Sequence, residues 1–240
     1  MKRKLLSVFL SLAMVLTMMP VFAMADDTSV GDTLGANVEP TESYTNKTGN
    51  LTYFTDNETV SDFNYSNGVM TVTGDNVTVK NVKFGNRAQL VVNTTGKFTL
   101  ENCIFNSEIA YDKNKDYIHT AVKLNVGEAV VKNNTFGGVT NGYYNAIEFG
   151  IGNDQNNLNK AEISGNTFNS AIKNNYFNFY NMTDDAVIDI SNNSLLLAAK
   201  ASNGIRISNP RNAKNVTFNI AEDSYTYAND SAESEFEGLI

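Results

Sequence analysis

One short phrase recurs six times along this chain, and its recurrence restricts the fold more than any other feature. The copies begin at Val77, Phe98, Ala129, Ala161, Ile188 and Val216, the last two being degraded. Successive copies start 21 to 32 residues apart. Repetition at this spacing indicates a stack of similar structural units, each burying its apolar face against its neighbours.

Apolar and polar residues alternate inside each phrase, as in Val77-Thr-Val-Lys and Ala161-Glu-Ile-Ser. This period of two is typical of a strand with one buried face. An Asn-rich step then interrupts the alternation before an apolar residue returns, which predicts a bend. A second alternating phrase recurs between copies of the first, at residues 122–126, 147–151 and 205–207. The sequence therefore predicts at least two short strands in each repeat.

Stretches with helical periodicity are missing after residue 25, and longer segments lie at fixed points of the repeat, over residues 106–119 and 152–159. A sandwich would instead show turn signals about every 8 to 12 residues. The phrase Val-x-Ile-x-Asn-Asn-x-Phe resembles the coil repeat of the pectate-lyase-like superfamily over about residues 51–222. The resemblance implies an all-β fold, a single-stranded right-handed parallel β-helix of about six or seven coils.

Aligning the copies makes two predictions about the interior. Equivalent apolar residues form one inward column, namely Leu100, Val131, Ile163 and Ile190. A second level contains Val82, Cys103, Asn134, Asn166 and Asn193, in which the three amides stack as an inward Asn ladder. Stacked amides satisfy one another where water cannot. The single Cys is expected to be a small buried side chain in that stack, or else an odd thiol available for intermolecular pairing.

The two ends differ in composition from the repeats. Residues 1–25 combine a basic start, an apolar run and Ala23-Met24-Ala25, the three parts of a secretory signal. Residues 26–50 are expected to be an acidic leader or linker, and residues 223–240 an acidic tail or partial cap. Removing the signal moves the formal net charge from −8 to −11. We therefore expect a secreted or cell-surface protein of a Gram-positive bacterium, with no nucleic-acid partner and no stable membrane insertion after cleavage.

Three charged residues occupy equivalent outward places on the second strand phrase: Lys123, Glu148 and Arg206. They form either a solvated charge ladder, worth little at an exposed surface, or a site whose cations bind the carboxylates of sugar acids. The insertion over residues 106–119 adds Tyr111 and Tyr117. These rings either stack on sugars or pack beneath the loop with His119.

The sequence contains no complete catalytic set. The residues that could take part in catalysis are Glu162, Asp189 and Arg206. Glu162 and Asp189 fall outward on successive coils, about 5 Å apart, which is the carboxylate spacing of retaining glycosidases. The fold gives any two stacked carboxylates this spacing. A calcium site built from Asp184, Asp185 and Glu162 is an equal alternative to catalysis, and solvated surface acids are the leading interpretation. No cofactor is expected unless calcium binds at these residues.

The resemblance also implies which residues an enzyme of the superfamily would need. Pectate lyases use an Arg base beside a calcium cluster of Asp residues. Polygalacturonases use Asn-Thr-Asp, Asp-Asp, Gly-His-Gly and Arg-Ile-Lys in that order. Here Asp184-Asp185 and Arg206-Ile207-Ser208 are present, but Asn-Thr-Asp and Gly-His-Gly are not, and His119 precedes the acid pair.

The leading interpretation is a non-catalytic, adhesin-like β-helix that binds a polysaccharide, a surface glycan or a host or matrix surface. The alternative is a polysaccharide lyase or glycoside hydrolase acting on an acidic glycan. The oligomeric state does not follow from the sequence.

Overall fold

The computed structural model describes residues 44–112, 114, 119–150, 158–197, 203–208 and 212–227. These residues all belong to one compact unit, Ser43–Ile240. The predicted signal segment, residues 26–43 of the predicted leader, Tyr117 and the last thirteen residues of the chain lie outside the described residues.

The described residues form short strands and no helix. In chain order the strands are β1 Thr45–Thr48, β2 Leu51–Tyr53, β3 Thr59–Ser61, β4 Phe63–Ser66, β5 Gly68–Val72, β6 Val77–Lys80, β7 Lys83–Phe84, β8 Ala88–Asn93, β9 Lys97–Glu101, β10 Ile104–Ser107, β11 Thr120–Asn125, β12 Glu128–Lys132, β13 Thr135–Gly138, β14 Asn145–Phe149, β15 Leu158–Ser164, β16 Thr167–Phe168, β17 Asn175–Phe179, β18 Met182–Ser191, β19 Ser194–Leu197, β20 Asn203–Ile207, β21 Thr217–Ala221 and β22 Ser224–Tyr227.

Each strand pairs with the strand three places later in chain order, and all pairs are parallel. Sheet 1 has eight strands in the order β1-β4-β7-β10-β13-β16-β19-β22. Sheet 2 has the order β2-β5-β8-β11-β14-β17-β20, and sheet 3 the order β3-β6-β9-β12-β15-β18-β21. The chain thus visits the three sheets in turn, an architecture consistent with a parallel β-helix.

The repeated phrase runs from sheet 3 into sheet 1. Its alternating part forms a strand of sheet 3, the Asn-rich step is the bend, and the closing Phe lies in sheet 1. The predicted inward column is confirmed, because Leu100 pairs with Val131, Val131 with Ile163, and Ile163 with Ile190. All four side chains are fully buried, so the period of two correctly identified the inner face.

Each bend between sheet 3 and sheet 1 contains one residue in the left-handed region of backbone space. Those residues are Asp62, Asn81, Asn102, Asn133, Gly165, Asn192 and Glu222, with φ between 53° and 66°. Asn and Gly tolerate this conformation better than other residues do. The backbone N–H of Asn102 donates to the Lys132 carbonyl of the next coil at 3.2 Å. The Asn-rich step is therefore a turn requirement repeated once in every coil.

The residue after the left-handed position points inward, and at three successive coils it is an Asn. We call Asn134, Asn166 and Asn193 the inner ladder. Asn134 Nδ2 donates to Asn166 Oδ1 at 2.9 Å, and Asn166 Nδ2 donates to Asn193 Oδ1 at 2.9 Å. Each Oδ1 also accepts the backbone N–H of the preceding coil, as from Cys103 at 2.9 Å. The predicted ladder is confirmed, and Asp223 accepts its last amide at 3.0 Å.

Aromatic rings fill the interior beside sheet 1. Phe84, Phe105, Phe136 and Phe168 stack with ring centroids 4.4, 4.8 and 4.6 Å apart. Offset-stacked rings add about 0.5–1.5 kcal/mol per pair beyond the burial of their area. Cys103 lies buried near this column as a free thiol, as predicted.

The parallel strands extend beyond the span assigned to the repeats. β1 begins at Thr45, within the segment read as leader, and pairs with β4. β22 ends at Tyr227, within the segment read as tail, and pairs with β19. Neither strand shows the apolar–polar alternation of the repeated phrase. The side chains of β1 are largely exposed, and residues 224–226 of β22 are exposed.

Candidate functional site

The outer face of sheet 2 contains the charged column predicted from the sequence. The register pairs Lys123 with Glu148 and places Arg206 two strands further along. Between them lies Asn178 of β17, which sequence analysis did not include. We call Lys123, Glu148, Asn178 and Arg206 the outer column; on the other side of Lys123 the same register position is occupied by the apolar Val91.

The four residues of the outer column differ sharply in exposure. Arg206 is exposed and Lys123 is half-buried. Glu148 is only 7% exposed and Asn178 only 5%. Every residue of β14 and β17 is buried, on both faces of the sheet. The column is therefore not a uniformly solvated charge ladder, because its centre is removed from water.

The buried Glu148 carboxylate accepts two hydrogen bonds. Thr120 Oγ1 donates to its Oε2 at 2.8 Å, and Asn145 Nδ2 donates to its Oε1 at 2.7 Å. No Lys or Arg in the described part of the chain forms an ion pair with it. Burying a carboxylate without a cationic partner is costly, so this carboxylate is a feature that calls for an explanation.

Asn145 belongs to a second stack of amides, which sequence analysis missed. Asn175 Nδ2 donates to Asn145 Oδ1 at 2.8 Å, and Asn203 Nδ2 donates to Asn175 Oδ1 at 3.0 Å. We call Asn145, Asn175 and Asn203 the outer ladder. Asn145, at one end of the outer ladder, donates its own side-chain amide to the Glu148 carboxylate. The ladder therefore terminates in a negative charge.

Three half-buried rings lie where the strands of sheet 2 begin, and we call Tyr111, His119 and Tyr144 the aromatic cluster. The ring of Tyr111 is 5.0 Å from that of His119 and 5.2 Å from that of Tyr144. His119 Nδ1 and the Tyr111 hydroxyl are 2.7 Å apart, so the predicted proximity of these two residues is confirmed. The Lys173 ammonium lies 5.3 Å from the Tyr111 ring centre.

The backbone joins the aromatic cluster to the outer ladder. The His119 carbonyl accepts the backbone N–H groups of Tyr144 at 2.9 Å and of Asn145 at 3.1 Å. Asn145 in turn donates to Glu148. Aromatic rings that stack on sugar faces and polar groups that bind hydroxyls are therefore placed at one edge of one sheet.

Four buried side-chain oxygens in the described part of the chain have no hydrogen-bond partner. They are Asn125 Oδ1, Tyr143 Oη, Asn178 Oδ1 and Asn181 Oδ1. Asn125 and Asn178 are in strands of sheet 2, and the other two lie two residues from such strands. Burial raises the pKa of Tyr143. Unpaired buried polar atoms are rare in folded proteins and mark places that ligands or ordered water complete.

The three catalytic candidates do not share a face. Glu162 and Asp189 are register partners on the outer face of sheet 3, as the alignment predicts. Arg206 lies in sheet 2. Glu162 is exposed, and Asp189 Oδ1 accepts a hydrogen bond from Asn219 at 2.7 Å. The pair therefore lies on an open surface, away from the unpaired oxygens of sheet 2.

The calcium candidates are also engaged separately. Asp184 Oδ1 accepts the Lys214 backbone N–H at 2.7 Å, and Asp185 Oδ1 accepts Asn215 Nδ2 at 3.0 Å. Both Asp residues lie in the irregular first half of β18, whereas Glu162 pairs further along that strand. Among the residues described, no group of three or more His, Cys, Asp or Glu side chains is placed to hold a metal ion.

A groove of about 550 Å³ crosses the outer face of sheet 1. Its lysines already contact aromatic rings: Lys47 lies 3.8 Å from the centre of Phe63 and Lys83 lies 4.3 Å from that of Tyr44. None of the unpaired buried oxygens lines this groove. We therefore locate the candidate site on sheet 2.

The chain matches no protein-family model, no curated protein and no solved structure. In the described residues, no helix has the length and apolar character needed to cross a membrane. The functional argument therefore rests on the geometry of sheet 2.

Proposed function

We propose that this protein is a secreted or cell-surface module that binds glycans, without catalysis, on the outer face of sheet 2. The proposal includes a right-handed parallel β-helix of about six or seven coils, of the pectate-lyase-like kind, from a Gram-positive bacterium. The binding function rests on two observations: unpaired buried oxygens occur in the strands of sheet 2 and close to their ends, and the half-buried aromatic cluster lies where those strands begin. Sugar hydroxyls are donors of the kind that these oxygens lack.

The rings and the polar groups have complementary tasks in such a site. Tyr111 and Tyr144 offer apolar faces for the C–H side of a sugar ring. Lys123 and Arg206 stand three strands apart, roughly 14 Å along the stack at about 4.8 Å per strand. A glycan running along the stack would therefore meet Lys123 at one end and Arg206 at the other, a span that suits an extended chain better than a single monosaccharide.

The test is a glycan array probed with the full chain, followed by titration calorimetry on the best ligand. Tyr111→Ala and Tyr144→Ala should each weaken binding about tenfold or more. The matched control is Phe54→Ala, since Phe54 is 75% exposed and follows β2, three strands of sheet 2 away from β11. Equal affinity in all four proteins would overturn the placement of the site.

The same samples should be incubated with pectin and alginate while the absorbance of unsaturated uronates is followed. The proposal expects no product. Product formation that is lost in Glu162→Gln or Asp189→Asn would replace the binding function with a polysaccharide lyase or hydrolase acting on an acidic glycan.

A further inference from the structure

The buried centre of the outer column contains a carboxylate and an amide oxygen that lacks a donor. Glu148 offers a carboxylate whose two oxygens each accept one bond. Asn178 Oδ1, on the next strand, accepts none from any described residue. The natural complement of such a pair is a donor-rich group with positive charge, because it would supply both hydrogen bonds and charge compensation.

The ends of the same column have the opposite character. Lys123 precedes Glu148 in the register, and Arg206 follows Asn178. Neither cation has an ion-pair partner in the described part of the chain. Lys and Arg at these places attract anionic groups, Arg in a two-pronged geometry that suits a carboxylate. In order along the stack, the four side chains are therefore cationic, anionic, a neutral amide and cationic.

We propose that the ligand is a zwitterionic glycan, in which amino groups on some sugars alternate with carboxylates on others. An amino group enters between Glu148 and Asn178, and flanking carboxylates meet Lys123 and Arg206. This inference rests on the proposed glycan-binding function and specifies its ligand class. The small exposed fraction of Glu148 favours a compact amino group over its bulkier, uncharged N-acetyl form.

The decisive comparison uses three oligosaccharides of equal length. Hyaluronan oligosaccharides carry carboxylates and N-acetyl groups, their de-N-acetylated form carries carboxylates and free amines, and chitosan oligosaccharides carry amines alone. Titration calorimetry with the full chain should show the de-N-acetylated form binding at least tenfold more tightly than either of the others. Equal or tighter binding of hyaluronan or of chitosan would overturn the inference.

Variants identify the residue responsible for the preference. Glu148→Gln should abolish the preference for the free amine over the N-acetyl form, while Glu128→Gln, at an exposed acid in β12 of sheet 3, should keep it. Lys123→Gln should weaken both carboxylate-bearing ligands about equally. A preference that survives Glu148→Gln would contradict the assignment. Binding of none of the three would argue against the glycan function itself, whereas tight binding without an amine preference would overturn only the ligand class.

Discussion

Two amide stacks run along this molecule, and they differ in how completely they satisfy themselves. In the inner ladder every Oδ1 accepts a backbone N–H, and those of Asn166 and Asn193 accept a side-chain amide as well. Every Nδ2 also donates to a carbonyl, as Asn166 does to Val131 at 3.0 Å. Both ladders end on a carboxylate, the inner one on Asp223 and the outer one on Glu148. The strand neighbour of Glu148, Asn178, has an oxygen that no described residue pairs. A closed network stabilises the coil, whereas an open one retains binding capacity.

The two stacks also differ in backbone conformation. A left-handed residue immediately precedes each member of the inner ladder, but none precedes Asn145 or Asn175. The inner amides therefore belong to the turn, and their positions are dictated by it. The outer amides lie at the starts of strands, where Asn145 Oδ1 accepts the backbone N–H of Asn175 at 3.2 Å. Asn145 therefore connects the backbone of the next coil to the Glu148 carboxylate.

The largest expected effect concerns the inner ladder. Asn166→Leu removes the acceptor for two buried donors of Asn134, each costing about 1–3 kcal/mol when unpaired. Urea unfolding should therefore show a loss of roughly 2–6 kcal/mol. Asn219→Leu is the control, because this exposed amide donates to Asp189 at the surface of sheet 3 and its loss should change stability by about 0.5 kcal/mol or less. Similar losses in the two variants would contradict the comparison.

A smaller effect is expected at the left-handed turn residues. Asn102 is exposed and has φ 54°. Asn102→Val should cost about 1–2 kcal/mol, since a β-branched side chain clashes in this conformation. Asn102→Gly removes the same side chain without the clash, so it should be close to neutral. If Val and Gly have the same effect in urea unfolding, the turn does not account for the Asn content.

The pH dependence of stability tests how well the protein excludes water from Cys103, whose backbone N–H donates to the first residue of the inner ladder, Asn134. Burial raises the pKa of the Cys103 thiol to about 12, whereas an unfolded thiol titrates near 8.5. Above about pH 9 the unfolded chain loses this proton and the folded chain keeps it, so stability falls as pH rises. From pH 9 to 10 the protein should lose about 1 kcal/mol more than Cys103→Ala does. Parallel curves would show that Cys103 is accessible to solvent.

Much of the fold could be predicted because the same Asn-rich turn sequence recurs once in each coil and marks where the strands end. Asparagine makes up about one residue in seven, and the bends explain this excess. At several turns a left-handed Asn is followed by an inward residue and then a Thr or Ser, as in Asn76-Val77-Thr78. This order of residues matches the Asn-x-Ser/Thr pattern of a glycosylation sequon. The turn geometry therefore explains such sequons without glycosylation.

The candidate site was only partly predictable. Periodicity indicates which side chains point outward, and it placed Lys123, Glu148 and Arg206 correctly in the register. It says nothing about what surrounds an outward residue, so the burial of Glu148 did not follow. The copy in β17 was missed because Tyr176-Phe-Asn-Phe replaces aliphatic residues with aromatic ones, and Asn178 was missed with it. Tyr144 joins the aromatic cluster only through tertiary packing.

Thermal unfolding of Glu148→Gln, with and without the glycan that the array selects, tests the central claim most directly. Gln keeps the shape of Glu and one acceptor for Asn145, and the Thr120 hydroxyl can reverse its role. Without glycan the midpoint should therefore stay close to that of the unmodified protein. A glycan at one hundred times its Kd should stabilise the unmodified protein by about 2.7 kcal/mol, and the variant by much less. A variant that melts as early as Asn166→Leu and still gains the full stabilisation would show that Glu148 is structural, and would contradict the account.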